Sequence, residues 1–206
     1  QVIRTLEMID ALSINLNIYT NADLKIAKTS NRTEINVIQH LNYNKMNSRN
    51  NSPWTDDYSN SPWNLLWTHK SRLKELALEK SENKRIFLVL ENDVLFTQQN
   101  LNYWIFNREK LRSSGLVPSF IRIEFSKFQS DWILIDIHDL NILQRLRILE
   151  ASNNLVLQIP CLYSGLIVLD DELLSEYVAS KAIDKSSSKE LIWWDLGARA
   201  SMGIQF

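Results

Sequence analysis

Glycine is scarce: four residues in 206 leave no Gly-rich loop in which a backbone could cradle phosphates, so P-loop and dinucleotide-binding fingerprints are excluded. Cysteine is scarcer still. Cys161 stands alone, which excludes an internal disulfide framework and a multi-cysteine zinc site and fits a reducing compartment. Next to Pro160 it has no base beside it in the sequence, and it reads as a buried structural thiol. An excess of one charge is also lacking. With 23 Lys and Arg against 24 Asp and Glu the formal net charge is -1, so the composition offers no broad nucleic-acid-binding face and no acidic tail. Any nucleotide recognised is expected to be a small molecule. No apolar run approaches the roughly 20 residues of a membrane span, and no charged-then-apolar leader pattern is seen in these residues. A soluble, cytoplasmic chain is the expectation.

What is present is ordinary globular material, 45% hydrophobic and 23% charged, enough for one sizeable core and a single domain over 1–206. Both ends are expected to be incomplete. Gln1 opens directly onto the helical spacing of Ile3, Leu6, Ile9 and Leu12, and Phe206 closes an apolar stretch without a polar finish.

Periodicity predicts alternating elements. Ile14 to Tyr19 alternates apolar and polar as a half-buried strand ending at Thr20-Asn21, and Thr33 to Ile38 is a second short strand. Residues 42–60, dense in Asn, Ser and Asp, form a polar loop. Ser61-Pro62-Trp63 reads as a cap with Pro at the first helical position, opening a helix through Leu65, Leu66, His69, Leu73 and Leu76 to about Glu79. A strand over Ile86–Leu90 follows. A helix after Thr97 carries Leu101, Trp104, Ile105 and Leu111 and ends at Ser113-Ser114-Gly115. Strands are expected at Phe120–Glu124, Trp132–Ile137, Leu155–Ile159 and Leu166–Leu169, with a helix from Asp171 to Lys181 and a polar loop over Lys185–Lys189. This order predicts an α/β sandwich with an early parallel sheet and a later mixed portion. Ligands of open sheets lie beyond the carboxyl ends of strands, where Thr20-Asn21 and Glu91-Asn92-Asp93 both fall.

The strand Ile86–Leu90 stops abruptly at two carboxylates. Glu91 and Asp93 are two apart, hence on one side of an extended backbone, and they repel unless a cation lies between them. Hard oxygen ligands of this kind suit Mg2+ or Mn2+ bridging to substrate phosphates. The alternative is that they cap a strand and lead into the turn or helix at Thr97.

Together with the aromatic-rich helix of Ser61-Pro62-Trp63-Asn64-Leu65-Leu66-Trp67, the Glu91-Asn92-Asp93 motif resembles that of the nucleotide-sugar glycosyltransferases of the GT-A fold, in which an acidic D-x-D-like motif ends a central strand. The likeness extends to Thr20-Asn21, Pro118 to Glu124, Tyr163-Ser164-Gly165 with Asp170-Asp171, and Trp193-Trp194-Asp195. The resemblance implies a Rossmann-like mixed sheet flanked by helices, a nucleoside-diphosphate sugar donor, a glycan or lipid-linked acceptor, and a divalent metal, Mn2+ or Mg2+. Asp93 and Glu91 are its expected ligands, and Thr20, Asn21 and Asn92 are candidates for cofactor contacts. A base is needed only if the reaction inverts the anomeric centre. Asp195 is then the first candidate and Glu190 the second, with a helix cap for Leu196–Met202 as the alternative role of Asp195. Trp63, Trp67, Tyr163 and Gly165 are candidates for a sugar or acceptor surface, core packing being the more frequent use of such Trp and a turn the alternative for Gly165. His69 and Lys70 lie about 100° apart on a helix, so only one of them can face the crevice; His69 is expected to be a satisfied core histidine. Two departures stand out. Glu replaces the first Asp of the motif, with Asn between the acids, and the strand that contacts the nucleotide base would precede Gln1. A membrane-docking segment there would make the chain peripheral to a membrane carrying its acceptor.

Two rival classes remain. A Mg-dependent nuclease would use Asp93, Glu124 and Lys127, but the last two are three apart and point to opposite faces of a strand, and no basic stripe serves a duplex. A non-catalytic carbohydrate- or protein-binding module, or an inactive transferase relative, would use the aromatics without a metal.

Overall fold

The computed structural model describes residues 2–11, 13–26, 30–40, 62–134, 146–151, 153–159, 165–191 and 196–203, the side chains of Pro62, Trp63, Leu196 and Gly197 excepted. The loop expected at 42–60 lies outside these residues, as do Cys161, Tyr163 and Asp195. Five helices are described: α1 (Val2–Glu7), α2 (Thr68–Leu78), α3 (Gln98–Leu111), α4 (Asp171–Ala179) and α5 (Leu196–Ala200). Eight strands accompany them: β1 (Ile14–Thr20), β2 (Thr33–Gln39), β3 (Ile86–Leu90), β4 (Ile123–Ser126), β5 (Asp131–Leu134), β6 (Arg147–Ala151), β7 (Asn154–Gln158) and β8 (Leu166–Asp170). Short 3-10 turns cover Pro62–Trp67, Arg112–Ser114, Lys181–Ile183 and Ser187–Glu190.

The chain is therefore mixed α/β, and its described strands pair two by two into four small sheets. The expected early parallel sheet is found only as β1 beside β2, in register from Ile14↔Thr33 to Thr20↔Gln39. One face of this pair carries a polar ladder, with Asn15 donating to Glu34 (3.1 Å) and Asn36 donating to Asn15 and Asn17. β3 does not join it. β3 runs antiparallel to β8, Ile86 opposite Asp170 and Leu90 opposite Leu166. An apolar run carries no information about the direction of its neighbour, so local pattern could not decide this pairing.

β8 is the centre of the core. Ile167, Val168 and Leu169 are buried on it, and α4 adds Leu173, Leu174 and Tyr177, all shielded from solvent. The Tyr177 hydroxyl donates to the Met202 carbonyl (2.8 Å), so its burial leaves no unmet donor, and that burial pushes its pKa up. Phe96, Leu101 and Trp104 belong to the same cluster, against which β3 packs. α3 begins as its sequence predicts: the Thr97 side chain accepts from the Asn100 backbone while Asn100 accepts from the Thr97 backbone, a reciprocal capping box. The helix passes into a 3-10 turn that closes on left-handed Gly115 (φ +67°). Ile105, expected on its apolar side, is 47% exposed.

The remaining strands are short hairpins, β4 with β5 and β6 with β7. The strand expected from Phe120 starts only at Ile123, because Phe120 turns into the core and packs its ring edge-on to Phe96 (5.6 Å). Among the described residues no helix is long and apolar enough to cross a membrane.

Candidate functional site

Two backbone hydrogen bonds fix Glu91. Its N–H donates to the Gly165 carbonyl (3.0 Å), extending the β3–β8 pairing by one step, and its own carbonyl accepts from Val94 (3.2 Å), closing a turn through Asn92 and Asp93. Val94 and Phe96 anchor the far side of that turn in buried positions. Glu91 and Asp93 therefore do not share one face of an extended strand, since β3 ends at Leu90. The turn brings both side chains to a common neighbour instead.

That neighbour is Arg122. Its guanidinium is 3.8 Å from a Glu91 carboxylate oxygen, 3.9 Å from Asp93 and 3.7 Å from Glu124 on β4. The mutual repulsion of two strand-end acids is thus relieved by a protein cation. The signal for it was present in Arg122-Ile123-Glu124, two charged residues separated by one apolar residue, which places both on the same side of an extended chain. Glu91 is further held by the Ser201 hydroxyl, which donates to it (3.1 Å) from just beyond α5. Gly165, in the left-handed region (φ +57°), lies so close that a Cβ there would be 2.9 Å from the Glu91 carboxyl carbon and one of its oxygens. Glycine is required here both by conformation and by the space the carboxylate fills. Asp93 is the open member of the group, its side chain 63% exposed, against 24% for Glu91.

The other expected residues are placed less favourably. Thr20, buried at the end of β1, engages its own turn, accepting from the Ala22 N–H (3.0 Å), and Asn21 follows it at the end of a different sheet from β3. Asn92 is exposed in the acidic turn. Glu190 closes the Ser187–Glu190 turn, where its carboxylate is bonded to the Lys181 ammonium. That contact holds its pKa below the usual carboxylate range, the wrong direction for a general base. Trp63 presents no described side chain. Trp67 offers its ring to the Lys70 ammonium, 4.2 Å from the centroid.

Lys70 and His69 are both drawn in from the surface of α2, Lys70 the more deeply. Lys70 is 2% exposed, donates to the Ala182 carbonyl (2.6 Å) and has its pKa lowered to about 7, mainly by burial. His69 is lowered to about 3 by burial and by Lys70, hence neutral, and its Nε2 has no hydrogen-bond partner among the described residues. It is a core histidine, satisfied on one nitrogen only.

α5 packs on the Pro62–Trp67 turn while Ser201 beyond it reaches Glu91, so the aromatic turn and the acidic turn are linked through one short helix. Among the described residues no group of three or more His, Cys, Asp and Glu side chains is arranged to hold a metal ion alone. A cation shared with a phosphate ligand needs only one or two protein carboxylates. The hard-oxygen pair of fixed Glu91 and open Asp93 fits that lesser requirement. No family model, curated protein or solved structure matches this chain.

Proposed function

We propose that the chain is a glycosyltransferase, moving a sugar from a nucleoside-diphosphate donor to an acceptor hydroxyl, with β3 and β8 belonging to a GT-A-like mixed sheet and Mn2+ or Mg2+ held at Asp93 and Glu91. The observation that carries this reading is the anchored acidic turn: one carboxylate fixed by Ser201 and Gly165, the next exposed, at the carboxyl end of a core strand. A divalent cation there supplies neutralisation of the charge that grows on the diphosphate as the glycosidic bond breaks. Glu91 is oriented before any ligand arrives, so little conformational freedom is lost on binding. Asp93, reaching into solvent, is the ligand that meets the donor. The low pKa of Glu190 and its tie to Lys181 leave Asp195 as the candidate base for an inverting reaction. A glycan or lipid-linked molecule is the proposed acceptor.

A second reading, a carbohydrate-binding module without metal, is favoured by the β4–β5 hairpin. Phe125 and Trp132 meet edge to face (5.6 Å) and are 53% and 63% exposed, a surface suited to the apolar face of a pyranose. Incubation with UDP- and GDP-sugars separates the two readings. Metal-dependent release of nucleoside diphosphate, abolished in Asp93→Ala and reduced at least tenfold in Asp195→Asn, supports transfer. Absence of turnover with metal-independent glycan binding, lost in Trp132→Ala, supports the module.

A further inference from the structure

The β4–β5 hairpin is turned inside out. Its register sets Ile123 opposite Leu134 and Phe125 opposite Trp132, and residues two apart on a strand share a face, so these four side chains line one side. All four are exposed. The other side carries Glu124, Ser126 and Asp131 around half-buried Ile133, and Glu124 there approaches Arg122. Ile121 just before β4 and Phe128 in the turn enlarge the apolar surface, Phe128 being 99% exposed. A one-residue shift of register would send the apolar set inward, so its outward position is specified and needs a cover, because a two-stranded hairpin with a bare apolar face is marginal in water.

We propose that a second copy of this chain covers that face, hairpin against hairpin about a two-fold axis, an inference that goes beyond the sugar-transfer reading and does not depend on it. Area and charge both favour this occupant. At about 200 Å² for a large side chain, the six exposed residues present roughly 700 Å², against the roughly 800 Å² that each partner contributes to a standard stable interface. None of the four facing side chains is charged, so two identical faces meet without repulsion and interdigitate as the inner faces of a sandwich do. The β6–β7 hairpin lacks this property: Glu150 shares a face with exposed Ile148, Leu155 and Leu157, and pairing two such faces would bury two carboxylates. An anionic bilayer is a poorer match, since Lys127 in the turn is offset by Glu124 and Asp131 on the strands. A pyranose covers the Phe125 and Trp132 rings and leaves Ile123 and Leu134 bare.

The test is sedimentation velocity of the full chain between about 1 and 100 μM, with melting temperature as the check on folding. The parent should pass from monomer to dimer across that range. Trp132→Glu, and Ile123→Glu on the facing strand, each set like charges against one another in the contact and should raise the dissociation constant at least about tenfold while the dilute monomer keeps its melting temperature. Leu157→Glu on β7 should leave association as in the parent. A parent that stays monomeric at about 100 μM overturns the inference, as do variants that associate like the parent or that lose their melting transition, since the latter would place the face in the chain's own core. Two further results overturn it by naming another occupant: a monomer that sediments with vesicles of phosphatidylcholine and phosphatidylglycerol, or one that binds glycan through Trp132. Failure here leaves nucleotide binding untouched, so the sugar-transfer reading stands or falls separately.

Discussion

The β3–β8 pair has an arginine–carboxylate cluster at each end, and the two are built differently. At the end where Ile86 faces Asp170, the Arg108 guanidinium is 2.9 Å from Asp170 and 2.9 Å from Glu172, with Arg112 closing on the same two acids. Two cations meet two anions, Asp170 also caps α4 by accepting from the Leu173 N–H (2.8 Å), and the Arg108 side chain is 7% exposed. At the end where Leu90 faces Leu166, Arg122 lies 3.8 Å from Glu91, 3.9 Å from Asp93 and 3.7 Å from Glu124, longer than any contact of the first cluster, and Glu91 also accepts from the Ser201 hydroxyl (3.1 Å). The first cluster is a completed clamp that ties α3 to the start of α4. The second is looser and more open, with the Asp93 side chain 63% exposed at its rim.

Removing the two arginines is expected to have unequal consequences. Arg108→Ala leaves Asp170, 16% exposed, with only Arg112 and the Leu173 N–H and should cost about 2 kcal/mol, read as a drop in urea midpoint, whereas Arg122→Ala at the more open cluster should cost less, about 1 kcal/mol. Equal losses would make both clusters structural. Asp170 itself illustrates the balance: burial would raise its carboxyl, but the Leu173 N–H and the Arg108 and Arg112 guanidinium groups outweigh that and hold it low.

Gly165→Ala is expected to be next in size. The residue would carry φ +57° and press its Cβ to 2.9 Å from the Glu91 carboxyl, so about 2 kcal/mol of stability should be lost along with several-fold weaker Mn2+ binding as Glu91 is displaced. Loss of stability with intact metal binding would separate Glu91 from the site.

Lys70 sharpens the contrast from a third direction, being a buried cation hydrogen-bonded to a carbonyl rather than to a carboxylate. With its folded pKa lowered from 10.5 to about 7, the unfolded chain binds more protons between those values, so this group makes stability rise as pH increases from about 7 toward 10.5. Lys70→Met should flatten that rise between urea midpoints at about pH 7 and about pH 9.5. A parental slope retained in the variant would assign the rise to another group.

Several of these features were legible in the residues. Period-two alternation marked β1, the apolar run with its acidic tip marked β3, and Thr97 and Gly115 marked the two ends of the α3 segment, because each signal is local. The antiparallel partnership of β3 with β8 was not legible, since it joins residues about 80 positions apart through equally apolar runs. Nor was β6, whose Arg147–Ala151 sequence is mostly exposed in a hairpin and carries no clean pattern. In the site, the acids were found because charge at the end of an apolar strand is conspicuous. Arg122 received no role because only tertiary packing brings it to them, and the burial of Lys70 depends on the distant Ala182 carbonyl, which no local pattern announces.

The most direct test of the central claim is calorimetric titration of UDP and GDP into the chain and into Asp93→Ala, each with and without Mn2+. The account predicts binding of one nucleotide that requires the metal and disappears in Asp93→Ala while the variant keeps its melting temperature. Metal-independent binding, or binding undiminished in Asp93→Ala, would contradict it.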